Sequence, residues 1–335
     1  MDRPADHPAA LVGKIGVLIV NLGSPAAPTT SAVRTYLSQF LSDRRVVEIP
    51  QIIWQPILQG IILNTRPRKS AEAYSQVWTD EGAPLVAITK RQAKALQTAF
   101  GPEVNVDWAM RYGKPSIEER IAAMKESGCD RILIAPLYPQ YSGATTATVN
   151  DAVFASLGKM RWQPALRTMP PYHDDPHYIA ALKASVESGI AALDFVPDAL
   201  LASFHSMPLR TLEKGDPYHC HCRKTARLLS EALGRPLTVS FQSRLGRAKW
   251  LEPATDKTLE AMGAQGLKKI AVIAPGFSAD NLETLEEIAI RGKESFIEGG
   301  GTHFAYLPCL NDSDSGTAML HALLSRELAG WIARG

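Results

Sequence analysis

Cysteine is scarce: four residues in 335, too few and too scattered for the disulfide framework of a small exported fold. An excess of charge of one sign is also lacking. Lys and Arg number 36 against 34 Asp and Glu, a net +2, so nothing global draws the chain to nucleic acid, which drops out as a partner. No apolar run is long enough to cross a bilayer. The longest, Ile52 to Leu63 (IIWQPILQGIIL), is broken by Pro56 and two Gln; it suits lying on a membrane, not spanning one. The first stretch, Met1 to Gly13, holds two Asp, two Pro and no apolar run, so it does not read as a signal peptide, and a reducing cytoplasm is the expected compartment. Neither GxGxxG nor GxxxxGKS/T occurs, which removes the dinucleotide and P-loop fingerprints and with them a nucleotide cofactor.

What is present is ordinary globular composition, 45% hydrophobic and 21% charged, in a chain longer than one compact core usually holds. Short β-branched runs alternate with segments of helical period, the pattern of parallel sheets covered by helices. The predicted strands are Gly16 to Asn21, Val104 to Met110, Arg131 to Ala135, Ala199 to Phe204, Leu237 to Gln242 and Lys269 to Ala274. An internal repeat is visible. Val106 to Lys114 (VDWAMRYGK) matches Val239 to Arg247 (VSFQSRLGR), and LIVNLGSP from Leu18 is echoed by LASFHSMP from Leu201. The expected fold is therefore α/β, with two similar Rossmann-like lobes, parallel sheets and a cleft between them. The seam is expected near Met169-Pro170-Pro171-Tyr172, giving an N-terminal lobe over 14–170, completed by a C-terminal helix over 315–334, and a second lobe over 171–314.

Ligands in open α/β sheets sit beyond the carboxyl ends of strands. His205 follows the buried run ALLASF, where an imidazole can accept a proton or bind a metal; the plain alternative is a core histidine held by a backbone carbonyl. After KIAVIAP and a glycine turn, Asp280, Glu283 and Glu287 fall at i, i+3 and i+7. That spacing puts three carboxylates on one α-helical face, and with His205 they would suit a divalent metal such as Fe²⁺. The alternative is helix capping by Asp280 or Ser278 with acidic residues favoured by the dipole. Arg44, Arg45, Arg111-Tyr112, Tyr138 and Trp250 suit a flat aromatic ligand with carboxylates, through stacking and guanidinium pairing, or else plain packing. Cys220-His221-Cys222 lacks the two-residue spacing of common zinc sites; with Cys129 and Cys309 these thiols would hold a [2Fe–2S] cluster only if the fold gathers them, and otherwise are unrelated buried thiols.

Taken in order, LIVNLGSP (18–25), PQYS (139–142), SFHS (203–206), GDPY (215–218), FQS (241–243) and SADNLETL (278–285) resemble the ferrochelatases. The resemblance runs from about Lys14 to Ser313. It implies a lyase that inserts Fe²⁺, as substrate, into protoporphyrin IX with release of two protons, in haem biosynthesis. It implies that His205 and Glu283 meet the metal, that Glu287 continues an acidic line for metal or protons, and that Leu22, Arg44, Arg111, Tyr112, Tyr138 and Trp250 surround the porphyrin. Residues 52–63 resemble an apolar lip at the pocket mouth that rests on a membrane or serves a homodimer. Two departures stand out. Asn281 occupies a position where some relatives carry histidine, and Gly143 one where cluster-bearing relatives carry cysteine. Coproporphyrin or sirohydrochlorin-type chelation, and a non-catalytic tetrapyrrole or metal carrier, are the rival readings.

Overall fold

The structure is a computed structural model describing residues 11–332 except 245 and 247; most of the leading stretch and the end of the expected final helix lie outside those residues. The predicted strands all form. They are β1 (Lys14–Asn21), β2 (Val104–Met110), β3 (Cys129–Pro136), β5 (Ala199–His205), β6 (Leu237–Gln242) and β7 (Lys269–Ile273). Two further strands, β4 (Ala165–Thr168) and β8 (His303–Tyr306), escaped the sequence reading. Both are four residues long and half-exposed. At a sheet edge, burial on two faces is not required, so no continuous apolar run marks them.

The strands make two parallel sheets with the same internal order, β2-β1-β3-β4 and β6-β5-β7-β8. β1 and β5 are inner strands of their sheets, beside β3 and β7, and nearly all their residues are buried. The sequence repeat is thus a repeat of topology: in each half the chain leaves that inner strand, crosses to one side, then returns past it to the other. Right-handed crossover helices make that the natural winding of a parallel sheet.

One hydrophobic cluster runs through both halves. It joins Ile15, Val17, Leu133 and Ala135 of the first sheet to Leu200, Ala202, Phe204, Ala271 and Ile273 of the second. The final helix, Asp314–Glu327, packs against helices Pro84–Phe100 and Pro176–Ala191, and its Leu320, Leu323 and Leu324 belong to that cluster. Polar ties reinforce it. Gln140 of PQYS donates to Thr225 Oγ1 at 3.0 Å and to the Pro275 carbonyl at 3.1 Å. Asp216 of GDPY accepts from Ser142 Oγ at 3.0 Å and from the Gly143 amide at 2.7 Å. Motifs more than seventy residues apart therefore clamp the carboxyl ends of the two sheets in a fixed relation.

The LGSP turn needs its glycine. Gly23 has φ +109°, and a Cβ there would lie 1.8 Å from the Tyr112 carbonyl oxygen, so any side chain would push the ends of β1 and β2 apart.

The apolar segment is not an ordinary buried helix. Gln51–Ile57 is helical and Leu58–Ile62 continues as a π-turn. Leu58 is buried, whereas Ile52 (86%), Ile53 (55%) and Ile61 (58%) stand exposed. Among the described residues no helix is long and apolar enough to cross a membrane.

Candidate active site

His205 is the last residue of β5 and pairs in register with Gln242 of β6. Its Nδ1 lies 2.7 Å from the Ser206 carbonyl oxygen. A carbonyl can only accept, so Nδ1 carries a proton, and in the neutral ring the lone pair falls to Nε2. The plain alternative drawn from the sequence is thus seen directly: the ring is held by a backbone carbonyl.

Glu283 opens a π-helix that runs to Gly292. The sequence reading assumed α-helical spacing, and here it needs correction. The wider i→i+5 winding keeps residues four apart close to one line, so Glu283, Glu287 and Arg291 form the row. Asp280 does not join it. Its Oδ1 accepts from Tyr306 OH at 2.6 Å and Thr284 Oγ1 at 3.0 Å, and its Oδ2 from Asn311 Nδ2 at 2.7 Å; this carboxylate is consumed in holding the loop. Nor do Asp280 or Ser278 cap the helix. Asn281 does, its Oδ1 accepting the Thr284 amide at 3.1 Å, so the residue that stands where some ferrochelatases have histidine serves as a cap.

Burial pushes the Glu283 carboxyl above its ordinary range; His205 draws it down, while Glu287 and Glu286 add to the upward push. His205 ends β5 and Glu283 follows β7, neighbouring strands of the second sheet, so imidazole and carboxyl fall in one neighbourhood. Gln242 binds the pair together: its Nε2 donates to the Glu283 carbonyl at 3.0 Å and its own carbonyl accepts the Ser206 amide at 2.7 Å. Glu287 is held differently. Ser243, at φ +68°, donates its amide to Oε1 at 2.8 Å and its hydroxyl to Oε2. A left-handed serine is strained, and the two bonds to one carboxylate are what offset that strain.

A cavity of about 900 Å³ opens beside this row, lined by Gln242, Ser243, Trp250, Glu287 and Arg291 among others. Near Glu283 stands a group of tyrosines from the first half. Tyr36 and Tyr74 have hydroxyl groups pushed up by burial, with Glu283 adding to the effect on both. Tyr112 and Tyr138 belong to the same group, and Phe40 stands edge-on to Tyr112 at 5.1 Å. Tyr36 and Tyr74 were missed in the sequence; each is a lone aromatic on a helix, with no motif to set it apart from core packing.

Arg111 and Tyr112 meet at Asp43. Asp43 Oδ2 accepts from Arg111 Nη2 at 2.6 Å, Tyr112 OH at 2.8 Å and Thr148 Oγ1 at 2.6 Å, and Oδ1 accepts the Arg45 amide at 2.8 Å. Burial works to raise the Asp43 carboxyl, but the hydrogen bonds from Thr148, Arg45 and Tyr112 and the charge of Arg111 outweigh it and hold the group below its usual range. The Arg111 guanidinium lies over the Tyr112 ring, 4.4 Å from its centre. Arg111 is therefore already ion-paired, whereas the exposed Arg44 makes no ion pair among the described residues. Arg44 borders a second cavity, about 420 Å³, with Val47 and Pro50 beside the apolar segment. Arg45 pairs instead with Asp151 at 2.6 Å. Leu22 packs in a cluster with Leu85, Ile88 and Ala279.

The four thiols are not gathered. Cys220 is exposed and Cys222 buried on the same helix, Tyr218–Leu233; residues two apart on a helix face away from each other. Cys129 lies at the start of β3 near Asn105 and Ser127, and Cys309 beside Tyr306 and Ala274. Burial pushes the Cys222 and Cys309 thiols well up. Among the described residues no three His, Cys, Asp or Glu side chains are arranged to hold a metal. The cluster reading is corrected accordingly: these residues do not fit a [2Fe–2S] group.

Two parallel-sheet lobes of the same strand order, with an imidazole and a buried carboxyl gathered where the strands of the second sheet end, define the class as a two-lobed parallel α/β fold with its polar groups at the strand ends. Comparison agrees in fold. The solved structure of SirB from Bacillus subtilis with Fe³⁺ superposes with a TM-score of 0.58 at 11% identity, over 95% of this chain and 97% of that one. In sequence, the ferrochelatase of Rhizobium meliloti strain 1021 is 56% identical over 99% of this chain and 100% of its own length, and that of Agrobacterium fabrum strain C58 is 53% identical over 98% of each. The sequence model named Ferrochelatase matches residues 14–328. The chain belongs to the ferrochelatase family: it is a lyase that inserts ferrous iron into a porphyrin in haem biosynthesis, which sets aside the reading as a non-catalytic carrier.

Proposed function

We propose that the porphyrin is protoporphyrin IX, that His205 and Glu283 act on it and on the iron, and that Glu287 passes protons outward. Metallation exchanges two pyrrole N–H protons for one Fe²⁺, so a base must stand over the ring and a route must lead protons away. The Nε2 lone pair of His205, held by the Nδ1–H bond to Ser206, is the observation that carries the reading. It is the group able to take a pyrrole proton without reorienting. The raised affinity of the Glu283 carboxyl for protons fits it to receive one next, and Glu287, one turn on, to hand it to the cavity. Glu283 also offers oxygen to the incoming Fe²⁺ beside the imidazole nitrogen, a donor pair suited to that metal.

Leu22, Arg44, Arg111, Tyr112, Tyr138 and Trp250 would surround the macrocycle, with the exposed Arg44 placed to meet a carboxylate. A pocket that bends the ring exposes pyrrole lone pairs, at a strain of about 1–5 kcal/mol supplied by binding. The two structural halves, 14–170 with the final helix and 171–314, would then act as the jaws holding it. The exposed isoleucines of 52–63 support a peripheral contact with the cytoplasmic face of a membrane, where an apolar substrate collects; association of two copies through the same face is the competing outcome.

Replacing His205 with alanine tests the assignment. Porphyrin binding, followed by fluorescence quenching, is expected to stay near the wild-type value while anaerobic Fe²⁺ insertion falls by about 100-fold or more. Normal turnover per bound porphyrin would overturn it. Running protoporphyrin against coproporphyrin in the same assay checks the substrate.

A further inference from the structure

Arg291 stands one π-turn beyond Glu287, four residues further along the row that starts at Glu283. Its guanidinium grips Glu286 as a fork: Nε lies 2.9 Å from Oε1 and 3.1 Å from Oε2, and Nη2 lies 2.9 Å from Oε2. The same Nη2 is 3.9 Å from Glu287 Oε2. An exposed arginine–glutamate pair ordinarily contributes little. Here the two glutamate side chains are only 11% and 23% accessible, against 55% for Arg291, and Glu287 and Arg291 line the same cavity of about 900 Å³. The cation is thus set between solvent and two half-sunk carboxylates, at the mouth of the row.

The rest of that wall carries more acid than base: Glu252, Asp256, Glu294 and Glu298 line it with Arg244 and Lys249, and Asp256 is paired to Arg244 at 2.9 Å. A row of carboxylates opening into a cavity with an excess of acid has the oxygen donors that a divalent cation seeks, and a cation lodged there would block the exit of protons. We infer that Arg291 is a specificity-determining residue: it occupies the outer end of the Glu283–Glu287 row as a fixed positive charge, so that protons leave along the row while divalent metal ions are kept from settling on Glu286 and Glu287. The inference rests on the proton route proposed above. It concerns residues of this chain that touch neither iron nor macrocycle.

Direct metal binding tests it apart from catalysis. Porphyrin-free protein is titrated with Co²⁺ by calorimetry, using His205→Ala as the background so that the inner donors contribute least. Introducing Arg291→Gln is expected to create one Co²⁺ site at least ten times tighter than any the background shows there. Adding Glu287→Gln should remove it, and Arg291→Lys, which keeps the charge, should not create it. With His205 intact, Arg291→Gln should retain turnover at low Fe²⁺ and become inhibited at excess Fe²⁺. Arg291→Met serves if the glutamine variant folds poorly. Co²⁺ binding by both neutral variants no tighter than the background would overturn the inference. Unimpaired turnover in Glu287→Gln alone would instead count against the proton route and leave the cation result standing.

Discussion

Gln242 donates its side-chain amide to the backbone carbonyl of Glu283 at 3.0 Å, across the gap between the end of one strand and the start of the π-helix. Its Oε1 accepts the Ser203 hydroxyl at 2.5 Å, and its backbone neighbours His205 in the β5–β6 register. One buried amide therefore sets how far the imidazole stands from the carboxyl.

Gln242→Leu keeps the volume and removes both side-chain bonds. The unfolding free energy should drop by about 1–3 kcal/mol, because the Ser203 hydroxyl and the Glu283 carbonyl are left without that partner. Turnover should fall more than porphyrin affinity does, since the ring contacts are untouched while the spacing of the two acting groups is lost. Denaturant titration and steady-state insertion kinetics give the two numbers. Equal losses in turnover and affinity would count against a positioning role.

Glu283→Gln should make the protein slower and firmer. In the unfolded chain Glu283 titrates near 4.5, but burial raises its folded value, so the folded state binds the proton more tightly and stability falls as pH rises from 4.5 through that raised value. The glutamine variant carries no such penalty. Its unfolding midpoint should exceed that of the wild type at pH 7, and the gap should close below about pH 4. Insertion should be much reduced at every pH. A variant less stable than the wild type at neutral pH would contradict the burial argument.

Asp43→Ala removes the acceptor shared by Arg111, Tyr112, Thr148 and the Arg45 amide. The half-buried Arg111 is then uncompensated, a loss of about 3 kcal/mol. Because the folded carboxyl lies below its ordinary 3.8, the stability it contributes is present above that pH and disappears as pH falls through the lower folded value. Chemical denaturation should show a large gap between wild type and variant at pH 7 that narrows in strong acid. Pairing the change with Arg111→Leu should recover part of the loss.

Ile52→Asp with Ile53→Asp puts charge on the most exposed part of the apolar segment. Co-sedimentation with liposomes should fall several-fold, while insertion into detergent-dispersed porphyrin stays within about twofold, because neither acting group is altered. An unchanged liposome fraction together with a smaller particle on size-exclusion chromatography would assign the face to self-association instead.

The chain itself fixed more of this protein than its motifs suggest. Runs such as LIVN and LLASF are apolar on both faces, which only a central parallel strand requires, and that alone placed His205, Arg111 and Tyr112 at strand ends. The short strands β4 and β8, half-exposed at the sheet edges, left no such mark. Helical period likewise put Asp280, Glu283 and Glu287 on one face, an inference that depended on the winding being α. The π-winding and the bonds from Tyr306 and Asn311 remove Asp280 and bring Arg291 into the row instead.

What local sequence decides is which segments must be buried and where they end, because burial and turn chemistry act over a few residues. Which side chains meet across those ends is decided by packing. Tyr36 and Tyr74 approach Glu283, Asp43 captures Arg111, and Cys220 and Cys222 diverge, because two sheets and their covering helices close on one another. Contacts between distant residues have no period along the chain to reveal them.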